Sequence, residues 1–568
     1  MTLLLAASVS LRLRRGAPEM RLDIDVPPTT DLISIAIAPD GRAVTFVANM
    51  DDVARLWFRS LGKSDVRSLD GTEGASYPFW SPDSNEIGFF ADGELKRIDL
   101  STGDVLTVAS APYARGGAWG PGGEILFAPE TIGALMMTSV DGRDPVPVTT
   151  LDPSLQNLTH RRPQFLPDGR HFLLRATNGV FVGSLNDENR AIRRVPIDSD
   201  TDAAFGAGYL FFVRRGTLWA QAFDPDRLTV RGDPVPVAHG VTWDMDRNVA
   251  AISVSNDGTL LYRAGAMEQR QLLWYDRSGA VLEAIGSPDA ATPWDVQLSS
   301  DDSRVLTRRS PEGLNPDIWV IEAGRGVASR LTFHEDIEVW PVWSPDGRDI
   351  VFASTRNGTH DLFKKPSNGN GSAELLFRSS VPNVPSDWSA DGRFLIFHHR
   401  AERADTDLWA LPLMDGDEPF PLASTPFFER HGQVSPDGKW LALTSDQTGR
   451  EEIYVQAFSE PGTRWQISVD GGSYPRWRPD TREIFYLGRS GEIVAAAFTE
   501  LDSGSIEVGD AETLFRVMNI VGGGSGGGQS HQYDVSRDGE RFLINTIVSA
   551  PSGPMTLVLN WSPKAPGN

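Results

Sequence analysis

The tetrapeptide Ser435-Pro436-Asp437-Gly438 is a turn, and this chain repeats it. Proline pre-sets φ, the aspartate side chain can bond nearby backbone amides, and glycine tolerates positive φ. After the turn, Trp440, Ala442 and Thr444 alternate with Leu441, Leu443 and Ser445, which is strand periodicity and not helix periodicity. Residues 451–458 and 464–468 supply two further strands before the turn chemistry returns at Arg478-Pro479-Asp480. A small antiparallel meander of this kind cannot bury its faces alone. It needs copies of itself.

The copies run the length of the chain. Ala38-Pro39-Asp40-Gly41, Ser81-Pro82-Asp83, Gly120-Pro121-Gly122 and Leu166-Pro167-Asp168-Gly169 come first, followed by a degenerate version near Phe205-Gly206. Ser255-Asn256-Asp257-Gly258, Ser300-Asp301-Asp302, Ser344-Pro345-Asp346-Gly347 and Ser389-Ala390-Asp391-Gly392 continue the series. The turns at 435 and 478, and then Ser536-Arg537-Asp538-Gly539, bring the count to twelve. Their spacing, roughly 39 to 58 residues, is about that of a four-stranded propeller blade. An aromatic residue often stands just before the turn (Trp80, Trp119, Phe165, Trp343, Trp388, Trp477), as expected if it packs between neighbouring blades.

The expected fold is therefore all-β, built from four-stranded antiparallel blades. A closed propeller holds four to eight blades, so twelve repeats in 568 residues point to two consecutive propellers of six blades each, with seven plus five the alternative split. The first propeller is expected over 20–285 and the second over 286–562, divided at the loop 286–295, with a disordered tail at 563–568. The segment 1–19 opens with an apolar run, Leu3 to Leu11, followed by Arg12, Arg14 and Arg15. That run is shorter than the roughly 20 residues needed to span a bilayer. It reads either as an apolar tail or as the remnant of a transmembrane helix, and any membrane contact is expected only through it.

Charge and composition narrow the function classes. A net charge of −23 argues against indiscriminate nucleic-acid binding, which needs a basic surface. With no cysteine there is neither a disulfide framework nor a thiolate zinc site. The glycine run 522–528 matches G-x-G-x-x-G and G-x-S-x-G in letters only, because a strand follows where both motifs require a helix. The histidines show no H-E-x-x-H and no other ligand spacing, so no cofactor, metal or catalytic residue is expected.

In a propeller the innermost strand leads into the repeated turn, and residues just before it crowd the mouth of the central channel. Those positions hold Arg115, Arg161, Arg162, Asp295, Glu335, Asp336, Asp387, Arg430, His431, Tyr474, Arg476 and His531. Charged and aromatic groups converging on a concavity suit a small ligand or peptide; salt bridging and packing between blades is the competing reading. The first mouth is basic, which points to an anionic ligand, and the second is mixed.

Several strings resemble the periplasmic half of bacterial receptor-type serine/threonine kinases, whose TolB-like, WD-repeat-like propellers are joined to a cytoplasmic kinase by one membrane helix. They are HRRPQFLPDGRHFLL (160–174), VSNDGTLLYRAG (254–265), GRAVTFVA (41–48), WQISVDGGSYPRWRPDTREIFYL (465–487) and the closing YDVSRDGERFLINTI with LVLNW. The resemblance implies an extracytoplasmic, non-catalytic sensor or interaction module, anchored near its N-terminus, binding an unknown peptide, protein or small molecule and working with a kinase from the same gene or operon. The kinase motifs themselves are missing: His160-Arg161-Arg162 lacks the aspartate of H-R-D, and there is neither D-F-G nor V-A-I-K. The propeller also resembles that of prolyl oligopeptidases, but the sequence carries no α/β-hydrolase pattern, so peptidase activity is not expected. Two alternatives stand beside the sensor: a propeller enzyme, such as a metal-dependent lyase or lactonase, and a TolB-like periplasmic scaffold protein.

Overall fold

The computed structural model describes residues 18–563 apart from 30, 51–52, 64–65, 131–132, 152–158, 245–246, 266–268, 290–293, 311–314, 401–405, 415–417, 460–461, 490, 502–504, 518–530 and 550–552. Among the described residues every regular element is a β-strand. They form twelve four-stranded sheets and one two-stranded hairpin, with antiparallel pairing between neighbouring strands. The chain is an all-β protein of propeller blades.

The repeated turn is built the same way each time. In the blade Glu429–Val434, Trp440–Ser445, Glu452–Ala457 and Arg464–Gln466, Ser435 Oγ donates to Asp437 Oδ1 at 2.5 Å and accepts the Trp440 amide at 2.9 Å. Asp437 Oδ1 then accepts the amide of Lys439 at 3.2 Å. Ser344 with Asp346, Ser389 with Asp391 and Ser536 with Asp538 repeat the arrangement. The fourth position takes positive φ, 76° at Gly438, and Ser84, Asp302 and Thr481 hold it where glycine is missing. Indoles before the turn lock blades together as expected: Nε1 of Trp80, Trp343 and Trp477 donates to the carbonyls of Ala36, Gln297 and Gln433 in the preceding blade.

The core is divided into layers between adjacent sheets. Starting from the sheet of Ile35–Ile37, apolar clusters join it in turn to those beginning at Ser76, Gly117, His160, Ala203 and Ile252, and the last packs back on the first through Leu261, Ile35 and Phe46. A second cycle links the sheets beginning at Trp294, Glu338, Asn383, Glu429, Ser473 and Tyr533, and closes through Trp274, Leu543 and Val305. We refer to these cycles as the first and second rings.

Both rings close with strands distant in sequence, and this moves the boundary expected at 285/286. Ile285 lies inside the strand Val281–Asp289, paired with Leu272. That strand and Gln269–Asp276 are the outer half of a sheet whose inner half is Tyr533–Val535 and Arg541–Ser549. Conversely, Met555–Leu559 leaves the second ring and pairs with Leu260–Arg263, while Met20–Ile24 pairs on its other side. The second ring is thus inserted within the closing blade of the first. The turn marks only the inner hairpin of each blade, so the sequence pattern is blind to which segment supplies the outer strands. Of the expected terminal and loop features, residues 1–17, the glycine run 522–528 and residues 564–568 lie outside the described residues. No helix among the described residues is long and apolar enough to cross a membrane.

Candidate functional site

The innermost strands share an irregularity just before the turn. Register shifts fall between Ser76 and Phe79, Arg161 and Gln164, Trp294 and Gln297, Val339 and Val342, Arg430 and Gln433, and Ser473 and Arg476. Within each bulge one residue takes left-handed backbone angles: Tyr77, Arg162, Asp295, Trp340, His431 and Tyr474, with φ between 49° and 60°. Bulges re-aim side chains and leave a residue unpaired in the ladder. In four of the six the next residue is proline (78, 163, 341 and 475), which has no amide to give the ladder. Six non-glycine residues held in this sparsely populated region at one structural position mark the ends of the innermost strands as special.

In the second ring the bulges bring several expected residues together. His431 stacks on Tyr474 with centroids 4.0 Å apart and planes at 27°, and His531 stands edge-on to both. His431, Arg476 and His531 are only 2%, 4% and 6% exposed. Burial, reinforced by Arg430 and Arg476, holds the His431 imidazole well below its ordinary pKa; burial and Arg476 do the same for His531. Both rings are therefore neutral at pH 7. Arg476 pairs with Asp534 at 3.1 Å. Asp295 pairs with Arg308 at 3.3 Å and accepts the Trp340 amide at the same distance.

Asp387 has a structural task as well: its Oδ2 accepts the amide of Val434, in the next blade, at 2.8 Å. Asp534 does the same for Leu298 at 2.7 Å. Burial pushes the Asp387 carboxyl up to about 7 against the hydrogen bond and Arg476, which pull it down. Tyr474, with its phenol raised by burial, accepts the hydroxyl of Tyr533 at its carbonyl at 2.8 Å.

Arg430 faces the other ring. Its guanidinium lies 4.6 Å from the centroid of Tyr113 and 3.5 Å from Glu451. Burial raises the Tyr113 phenol and the Glu451 carboxyl, and lifts Glu130 to about 7. In the first ring, Arg115, Arg161 and Arg162 gather beside Tyr77, over whose ring the Arg162 guanidinium sits at 4.0 Å. The two remaining expected residues do not join either group. Glu335 is exposed in the loop before Glu338–Trp343, and Asp336 pairs locally with His334 at 3.2 Å.

Sequence reasoning missed Tyr77, Tyr113, Glu130, Trp340, Glu451 and Asp534. The prolines after Tyr77 and Trp340, placed like those after Arg162 and Tyr474, are the signal that could have found two of them. Tyr113, Glu130 and Glu451 meet through the packing of one ring on the other, for which no local pattern exists. Among the described residues no group of three or more His, Asp or Glu side chains is arranged to hold a metal ion.

Comparison with known proteins points to one kind of propeller. Residues 295–425, three successive blades of the second ring, match the TolB beta propeller domain (PD40). The chain is 27% identical over 164 residues to tricorn protease homolog 1 of Streptomyces coelicolor, covering 28% of this chain and 15% of that protein. It is 28% identical over 90 residues to the Tol-Pal system protein TolB of Helicobacter pylori, covering 16% and 21%. The chain thus spans about a fifth or less of the length of either relative. Among solved structures it is similar to TolB from Acinetobacter baumannii, with 14% identity, a TM-score of 0.34, and coverage of 65% of this chain and 89% of that one. The chain is thus a set of propeller blades packed face to face, and its stretch 295–425 is a TolB-like β-propeller region.

Proposed function

We propose that the chain is a non-catalytic binding module that recognises a peptide, a protein or a small ligand at the centres of its rings. The observation that supports this most is the repeated bulge, which holds side chains such as Asp295, His431 and Tyr474 in strained backbone at the point where the innermost strands converge. Recognition suits such a surface better than proton transfer does. His431 and His531 are kept neutral by burial, and His431 is committed to its stack on Tyr474. Its setting would be extracytoplasmic, as the TolB-like stretch suggests.

Two roles fit about equally well: the outer sensor of a membrane-anchored Ser/Thr kinase system, and a TolB-like scaffold that holds partner proteins. The rings are stiff, so a signal would travel by reorienting one ring on the other across the Arg430–Tyr113 contact, or by dimerisation. Binding is tested by passing envelope extract over the immobilised chain and over its Tyr474→Ala and Arg476→Met variants. A partner retained by the parent and lost by both folded variants supports the reading; identical retention by all three overturns recognition at this centre. The role is tested by immunoblot of membrane and soluble fractions. A membrane band far above 62.1 kDa supports a fused kinase, and a soluble band at that mass removes the kinase and leaves the scaffold.

A further inference from the structure

The first ring gathers buried arginines that its own carboxylates do not fully answer. Arg161 follows His160 at the start of an innermost strand and pairs in register with Arg175 on the next strand. The two are 8% and 6% exposed. Arg161 donates to the carbonyl of Arg247 at 3.4 Å and to Asn248 Oδ1 at 3.2 Å. Arg175 donates from one Nη1 to the carbonyls of Ser199 and Thr201, both at 3.2 Å. All four acceptors are neutral.

Among the described residues neither arginine, nor Arg162 beside them, has a carboxylate within ion-pair distance. Nε of Arg161, Nε of Arg175 and Nη2 of Arg162 are buried without a hydrogen-bond partner. Asp202 is a half-buried carboxylate whose charge reaches both Arg162 and Arg175, Asp200 adds to it at Arg175, and the Asp202 Oδ1 is engaged by the Ala250 amide at 3.1 Å. Arg115 adds a further positive charge close to Arg161 and Arg162.

Buried like charges repel, and an unpaired buried cation is costly to hold. Guanidinium groups with open N–H positions match the planar or tetrahedral oxygens of carboxylates and phosphates better than any other common ligand. We infer that the centre of the first ring, around Arg161, Arg162 and Arg175, is a binding site for a small oxyanion carrying at least two negative charges. The site deepens the reading of the chain as a binding module and rests on it. Its three arginines belong to the first ring, whereas His431 and Tyr474 belong to the second, so either can fail alone.

The experiment is titration calorimetry of the full chain in an amine buffer at low salt, with inorganic phosphate in one arm and citrate in the other, and thermal unfolding alongside. Binding of either probe at millimolar concentration or tighter is expected, weakened tenfold or more in Arg161→Met. Phosphate alone would assign a phosphoryl group, and citrate alone a polycarboxylate. Arg162→Lys, which keeps the charge and loses the planar fork, should fall between parent and Arg161→Met and guards against misfolding of the latter. Absence of heat with both probes overturns the site. So does equal stabilisation of the parent and both variants, which would mean general salt screening. Retention of an envelope partner through Tyr474 and Arg476, with no anion binding, would sink this inference and leave the module reading standing.

Discussion

Arg430 of the second ring and Tyr113 of the first meet face to face, the guanidinium carbon 4.6 Å from the ring centroid. Glu451 approaches the same guanidinium at 3.5 Å, and the charge of Glu130 reaches it from the first ring. One cation therefore answers an aromatic face and two carboxyl groups drawn from both rings. Its removal takes the cation from both acids and leaves Glu451 the hydrogen bond with Tyr113. Arg430→Met should cost about 3 kcal/mol, the lower end for breaking a buried pair, because Glu451 keeps some contact with water. Urea unfolding reads the loss, and small-angle scattering should show a larger radius of gyration as the rings part. An unchanged radius would place the ring-to-ring attachment elsewhere.

Glu130 and Asp387 should give the protein an unusual slope at neutral pH. Both carboxyls are raised to about 7 in the fold, against about 4 in an unfolded chain. At these two groups the folded state therefore binds more protons than the unfolded state between those values, and their contribution to stability falls as pH rises from about 4 through about 7. The steepest slope for one such proton is about 1.4 kcal/mol per pH unit. Asp387→Asn keeps an acceptor for the Val434 amide and removes the titration. The buried neutral histidines (His160, His360, His431 and His531) act the other way below about pH 6.5, so the test is the difference: between pH 5 and 8 the thermal midpoint of Asp387→Asn should gain on that of the parent as pH rises.

The turn aspartates act in the opposite direction. Asp301 is lowered to about 2 by hydrogen bonds from Ser299 and Ser303, and Asp346 and Asp538 are lowered by their own serines. Depressed carboxyls contribute stability that is complete above about 4 and lost as pH falls toward 2. Acid unfolding followed by circular dichroism should begin below pH 4. Asp301→Asn should shift the onset to lower pH while lowering stability at pH 7.

What the sequence shows and hides follows from how far apart the interacting residues lie. Ser435, Asp437, Gly438 and Trp440 make their bonds within one hairpin, so twelve such strings are enough to read blades. The Trp80, Trp343 and Trp477 indoles reach only to the preceding blade, and their packing could be anticipated from the same repeat. Ile285 lies inside a strand, and its neighbours Leu272 and, across the sheet, Leu543 follow no repeat that the sequence could show. Position in the repeat puts Arg162, His431 and Tyr474 in the bulge of an innermost strand, because the bulge is regular. Glu335 and Asp336 stand nine and eight residues before Ser344, in the loop ahead of Glu338, whereas the bulge at Trp340 lies four residues before that turn. Tyr113 against Arg430 could not be read at all, since it depends on how two closed rings pack.

Ser435 offers a local test of the repeat. Its buried hydroxyl donates to Asp437 and accepts the Trp440 amide. Ser435→Ala leaves that amide short of an acceptor in a buried turn, at a cost of about 1–2 kcal/mol. Chemical denaturation measures it, and a Ser344→Ala change should cost about the same if the turns are equivalent parts.

The closing blade of the first ring predicts a split response to truncation. Met555, Leu557 and Val558 are buried and belong to the core layers that join this blade to its two neighbours. The strand they form is flanked by Leu260–Arg263 on one side and Met20–Ile24 on the other, so removing it detaches the N-terminal strand as well. A chain ending at residue 549 keeps every strand of the second ring, including the inner hairpin 533–549 that closes it. Hydrogen exchange on that truncated chain should show protection lost across 20–24, 35–68 and 203–263 and retained across 294–516. Uniform loss in both rings would mean that the second ring borrows its stability from the first, and that the two cycles of blades fold as one cooperative unit.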